Sequence, residues 1–156
     1  MVNSFENYEH AQAGTLMRIL LGVLMLFFCS VATGLLIAGK EASAVIGTAS
    51  PVGLLLVILA LFHSLTVRVS AELIHLSFGI GLVSKSIAVR EIESASIART
   101  RWYNGWGIKK ISGGWLFNIS GFDTVELKLG NGRRYLIGTD EPERLYEVIE
   151  SAMANV

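Results

Sequence analysis

Charge is missing from two long stretches of this chain, and that absence decides more than any motif in it. No Asp, Glu, Lys or Arg occurs from Ile19 to Ala38, or again from Ala42 to Val67. With no intramembrane carboxylate in either run, a proton or cation pathway lacks its usual ligand. Cysteine is nearly absent as well. The single Cys29 cannot close an intrachain disulfide, and no Cys/His spacing suits zinc, so neither a disulfide framework nor a metal site is expected. Net charge is also lacking. Thirteen basic residues balance thirteen acidic ones, which removes any global charge argument for nucleic acid or an acidic partner. The three histidines, His10, His63 and His75, are scattered without a sequence partner for catalysis. Phe78-Gly79-Ile80-Gly81 begins a GxG pattern, but strands follow it rather than a helix, so it reads as a bend. No nucleophile–base pair, paired carboxylates or P-loop stands out. The expected protein is not an enzyme and has no cofactor.

What is present is hydropathy, concentrated in one place. The mean hydropathy of +0.54 is high for a soluble domain of this size. The first uncharged run is about twenty residues long, close to the length an α-helix needs to cross about 30 Å of hydrocarbon. The second contains VGLLLVILALF. Only Gly39-Lys40-Glu41 separates them, so the two must be antiparallel neighbours, and both must be helical to satisfy their backbones in lipid. A cleaved signal peptide is disfavoured: the first run is too long, and a second span follows at once. Arg18 flanks the first run and Arg68 closes the second, with Lys85 and Arg90 further on, whereas Lys40 in the connection stands beside Glu41. This bias places both termini in the cytoplasm. Ser30, Gly34 and Ala38 recur at intervals of four, a spacing that lets helices approach closely, either within the hairpin or in self-association. Pro51, after Gly47, Thr48 and Ser50, predicts an irregular or kinked outer end of the second helix.

From Leu65 the apolar period changes to two. Leu65, Val67 and Val69, then Ile74, Leu76 and Phe78, predict a β-hairpin turning at Ser70–Glu72. Ile87 and Val89 suggest another strand, and Ala95 to Arg99 a short one. Trp115, Phe117 and Ile119 alternate with Leu116, Asn118 and Ser120. Val125, Leu127 and Leu129 lead to Gly130-Asn131-Gly132, a turn whose residues tolerate positive φ, and Arg134 to Ile137 return. Asp140 as cap, Pro142 in the first turn and Glu143 three residues after the cap announce a terminal helix. Its apolar face carries Leu145, Val148, Ile149, Ala152 and Met153.

This order resembles the pleckstrin-homology (PH) superfold. Leu82 to Ala95 (LVSKSIAVREIESA), Arg101 to Ser120 (RWYNGWGIKKISGGWLFNIS) and Gly121 to Leu145 (GFDTVELKLGNGRRYLIGTDEPERL) are similar to segments of small bacterial PH-like membrane proteins, in which two preceding transmembrane helices are common. The resemblance implies a membrane α-helical hairpin plus a mainly-β PH-like domain, with about seven antiparallel strands and one C-terminal amphipathic helix. It also implies a bacterial inner (plasma) membrane setting. The expected organisation is a cytoplasmic segment over residues 1–15, a hairpin over 16–67 and a domain over 65–156.

One stretch stands out as a candidate site. Arg99, Arg101, Trp102, Tyr103, Trp106, Lys109 and Lys110 lie close together, and with Trp115 the stretch holds every tryptophan of the chain. From Leu82 to Asn118 basic residues outnumber acidic ones six to two, whereas from Ile119 to Val156 they are outnumbered four to seven. Cations among aromatic rings suit anionic lipid headgroups at a bilayer surface, and they equally suit a protein-binding hot spot. Single-stranded nucleic acid uses the same mixture, but a neutral, membrane-tethered chain argues against it. The alternative is that Trp115 and another tryptophan belong to the core and the cations form a solvated edge. The function expected is a non-catalytic membrane-anchored binding or assembly module. The alternatives are an accessory subunit of a larger membrane complex, an anionic-lipid-binding module, and an enzyme whose site is not visible in sequence and assembles only in three dimensions.

Overall fold

A computed structural model describes residues 7–101 and 105–155. The two uncharged runs form helices α1 (Thr15–Ile37) and α2 (Ala42–Phe62), both long and apolar enough to cross a membrane. They lie against each other along a seam of less exposed residues. In α1 these include Leu21, Met25, Phe28, Ala32 and Leu35; in α2 they include Val45, Thr48, Val52, Leu55, Leu59 and Phe62. Intervals of three and four are those of helices packed at a shallow angle. The remaining faces expose large apolar side chains, among them Leu26 at 72% and Ile37 at 82%. A hairpin with so much uncovered apolar surface is not the core of a soluble domain.

Polar side chains within the helices are absorbed by their own backbones. The Ser30, Thr33 and Thr48 hydroxyls donate to the carbonyls of Phe27, Cys29 and Ala44 at 2.8–2.9 Å. The helix α2 is unbroken from Ala42 to Phe62 with Pro51 inside it, so the irregular end expected there is not a break in the helix. Proline removes the N–H that would reach the Gly47 carbonyl. The Ser50 hydroxyl supplies a replacement, donating to that oxygen at 3.0 Å. Ser30, Gly34 and Ala38 are all exposed, so they do not form the hairpin seam. At 100° per residue, Ser30 stands about 200° around the helix from Ala32.

The rest of the chain is two sheets and a helix. The first sheet holds β1 (Tyr8–Ala13), β2 (Ser64–Val69), β3 (Leu73–Phe78) and β4 (Val83–Ala88), in that order and all antiparallel. The N-terminal segment thus supplies an edge strand, and the hairpin is inserted between two paired strands of one sheet. The second sheet holds β5 (Ile92–Arg99), β6 (Gly107–Ile111), β7 (Gly114–Asn118), β8 (Asp123–Leu129) and β9 (Arg134–Gly138), in the order β5-β8-β9-β7-β6. Nine strands are therefore described rather than about seven, and β7 and β9 run parallel rather than antiparallel.

The sheets enclose one core. Leu65, Val67, Ile74, Leu76 and Phe78 from the first meet Phe117, Ile119, Val125, Leu127 and Ile137 from the second. Helix α3 (Pro142–Ala154) covers β5, β8 and part of β2 with Leu145, Ile149 and Ala152, each fully buried. Burial of these side chains, about 1.5–3 kcal/mol for each large one, is what holds the layers together. Two expectations fail locally. Asp140 does not cap α3: Thr139 Oγ1 accepts the Glu141 N–H at 3.1 Å, and Asp140 turns to His10 at 2.6 Å. Trp115 is not a core residue but is 42% exposed, while its neighbour Leu116 is fully buried.

Candidate functional site

The site is best built from the join between hairpin and domain. β1 ends at Ala13 and α1 begins at Thr15; α2 ends at Phe62 and β2 begins at Ser64. The ladder closes on the pair Ala13↔Ser64, and the Gly14 N–H donates to the His63 carbonyl at 3.0 Å. Arg18 Nε donates to the same oxygen at 3.0 Å. The turn between β3 and β4, residues 79–82, seats itself against the end of α2. Its Ile80 N–H donates to the Ala60 carbonyl at 3.3 Å, an oxygen His63 Nδ1 also contacts at 3.1 Å. Carbonyls that a helix end leaves orphaned are thus taken up by the domain. The approach is close enough that only glycine fits at position 79. It has φ +49°, and a Cβ there would run into the Ala60 carbonyl oxygen and lie 2.6 Å from that of Leu61. Rings continue the join inward: Phe62 to Phe78 at 5.7 Å, Phe78 to Phe117 at 6.4 Å, Phe117 to Tyr135 at 6.0 Å.

Strand register then fixes where the candidate residues lie. Gln12 Nε2 donates to the Ser120 carbonyl at 3.3 Å, so the connection from β7 to β8 belongs to the hairpin end of the domain. Arg99, the last residue of β5, stands opposite Asp123, the first of β8, and pairs with it at 3.2 Å. The Thr100 N–H donates to the Phe122 carbonyl at 2.7 Å. Arg101 follows, exposed, and on the far edge Trp106 is half-buried just before β6. Arg99, Arg101 and Trp106 are therefore gathered at the hairpin end. Lys109 and Lys110 are exposed on β6, about 7 and 10 Å further from that end at 3.4 Å per residue. Trp102 and Tyr103 lie outside the described residues.

A groove of about 780 Å³ connects several of these side chains, with Arg99, Arg101 and Lys110 on its walls. Arg134 lines it too, a cation the sequence reading did not single out because it sits in an ordinary β-hairpin. Its guanidinium is fixed by Glu126 at 3.0 Å and by the Ser112 carbonyl at 2.7 Å. Of the cations on its walls, Arg99 is paired with Asp123 and Arg134 with Glu126, so the groove is basic in lining but partly neutralised by these carboxylates.

The histidines assemble no comparable centre. His75 Nδ1 meets Ser86 Oγ at 2.9 Å, the cross-strand partner its register dictates. The acid in the same cleft, Glu9, is held by Arg68 at 2.8 Å, which keeps its carboxyl below the usual range. His10 joins β1 to the start of α3 through Asp140, with Glu141 3.6 Å away. Beside it Tyr8 is buried, with the Glu141 carboxylate nearby, and its hydroxyl meets no partner at hydrogen-bond distance among the described residues. Burial, reinforced by the nearby Glu141 carboxylate, pushes that hydroxyl up to about 12. Among the described residues no group of His, Cys, Asp and Glu could hold a metal ion. No family model matches this chain, and neither a curated protein nor a solved structure matches it.

Proposed function

We propose that this chain is a non-catalytic, membrane-anchored PH-like module, held against the cytoplasmic face of a bacterial inner membrane, that binds anionic groups beside the bilayer. One observation carries the reading: the hairpin is spliced into the domain at both ends, so Arg99, Arg101 and Trp106 stand at the end from which two apolar helices leave. The pairing of β1 with β2 requires residues on either side of the hairpin to share one side of a membrane. Arg18, Arg68, Lys85 and Arg90 on that side favour the cytoplasm. The PH-like assignment is supported by topology. Setting aside the β6–β7 hairpin leaves a four-stranded and a three-stranded antiparallel meander followed by a helix.

The test uses the intact chain in detergent, titrated with phosphatidylglycerol or phosphatidylcholine while its thermal midpoint is followed. Anionic lipid is expected to raise the midpoint more than zwitterionic lipid. Substituting Arg99, Arg101 and Lys110 by Gln should remove most of the difference, since each cation near the surface contributes about 1 kcal/mol. An unchanged difference in that variant refutes the assigned site. A second reading, an accessory subunit of a larger membrane complex, is favoured by the exposed Ser30, Gly34 and Ala38 on the face of α1 turned from α2. A stoichiometric larger protein purifying with the chain in mild detergent would support it.

A further inference from the structure

We propose that the turn between β3 and β4 is a separate membrane contact, with the side chains of Ile80 and Leu82 seated in the lipid at the boundary between headgroups and acyl chains. Both are strongly exposed, at 63% and 76%, although the turn around them is firmly held. The Gly79 N–H donates to the Ser64 carbonyl at 2.9 Å and the Gly81 N–H to the Phe78 carbonyl at 2.8 Å. Two large apolar side chains projecting from an ordered turn call for a cover, and the geometry names it. The Ile80 backbone is bonded to Ala60, two residues inside the end of α2, so it lies about 3 Å along the helix axis from Phe62 at 1.5 Å per residue. The 21 residues of α2 span about 31 Å, nearly the full thickness of a hydrocarbon core. A turn level with its last helical turn is therefore at the hydrocarbon boundary, not in bulk water. Arg18 lies in the first helical turn of α1 and is bonded to the same end of α2, where its guanidinium would meet headgroups. Phe122, 39% exposed, belongs to the same end of the domain. With the hairpin these side chains form a footprint rather than a single stalk, which fixes the tilt of the domain on the surface.

This inference rests on the membrane reading above, and its test separates the two. In a Cys29→Ser background, single cysteines replace Ile80, Leu82, Leu26, Leu54 or Asn131 in the full chain. Each carries an NBD fluorophore and is reconstituted into phosphatidylcholine vesicles with or without a lipid bearing a doxyl quencher high on its acyl chain. Labels at 80 and 82 are expected to be quenched by the doxyl lipid and blue-shifted, while the label at 131, on the distal β8–β9 turn, is unaffected. Labels at 80 and 82 that behave like the one at 131, with 26 and 54 still in apolar surroundings, overturn this inference and leave the hairpin intact. If 26 and 54 also report water, the membrane reading itself falls. A blue shift at 80 and 82 without lipid quenching overturns the inference in favour of a protein cover.

Discussion

Gly79→Ala should unfasten the domain from the hairpin, and its neighbour Gly81 supplies the control. Both glycines have positive φ, +49° and +85°. An alanine at either position carries a left-handed backbone penalty of roughly 1–2 kcal/mol. At Gly81 nothing lies within 4 Å of the added methyl, so the penalty ends there. At Gly79 the methyl meets the carbonyl oxygens of Ala60 and Leu61, which are helix backbone and cannot step aside. The turn must retreat, and the Gly79–Ser64 and Ile80–Ala60 hydrogen bonds go with it. At about 1 kcal/mol each, the total rises to roughly 3–4 kcal/mol. With roughly 2–4 °C per kcal/mol for a chain of this size, Gly81→Ala should lower Tm by about 4 °C and Gly79→Ala by about 10 °C. Circular dichroism melts of both variants in one nonionic detergent, at one scan rate, read the difference. Equal midpoints would mean that the turn does not rest on α2, and the rigid join, together with the depth assigned to Ile80 and Leu82, would have to be abandoned.

Two further changes probe the hairpin and the N-terminal strand. Ser50→Ala should destabilise the hairpin by about 1 kcal/mol in a denaturation series in micelles, because the Gly47 carbonyl then lacks a donor; adding Pro51→Ala, which restores a backbone N–H, should recover the loss. A double variant no better than Ser50→Ala would show that the hydroxyl has another role. Tyr8→Phe should be neutral or stabilising at pH 7, where it removes a buried hydroxyl that has no hydrogen-bond partner among the described residues. Its benefit should grow between pH 10 and 12. The folded chain resists ionising Tyr8 until about 12 whereas the unfolded chain ionises it near 10.0, so wild-type stability, full below that window, falls across it and the variant is spared that part of the fall. Parallel alkaline titrations of the two proteins, followed by circular dichroism, measure this.

The elements that could be read from sequence are those whose signal is local. Two uncharged runs suffice for α1 and α2, and strict alternation suffices for β2, β3 and β8. β1 escaped because its inward residues are mixed: Tyr8 and Gln12 are buried, so YEHAQA shows no apolar alternation. The β7–β9 pairing escaped because it is set by where β8 folds back, not by the residues of either strand. Asp140 looked like a cap from spacing alone, yet no side chain caps the helix at Glu141: Thr139 accepts the Glu141 N–H just ahead of it, and Asp140 is drawn to a histidine 130 residues away. Of the candidate site, clustering along the chain identified the cations. Their division between the hairpin end and the body of β6, and the arrival of Arg134 from β9, depend on sheet order.

Inserting the hairpin between β1 and β2 also sets an order of events during synthesis. Fifty residues, 14–63, are made between the end of β1 and the start of its partner. At about 5–20 residues per second, β1 waits several seconds as a lone strand. Glu9, His10 and Gln12 suit it to that wait, since a polar strand is a poor template for aggregation. Pairing becomes possible only after both helices have been made and, if they span a membrane, after the chain has crossed it and come back. A molecule with one helix left uninserted would strand β1 and β2 on opposite sides of the bilayer and could not complete the first sheet. Closure of that sheet therefore depends on both helices sharing one fate, because the pairing of β1 with β2 needs the two ends of the hairpin on the same side.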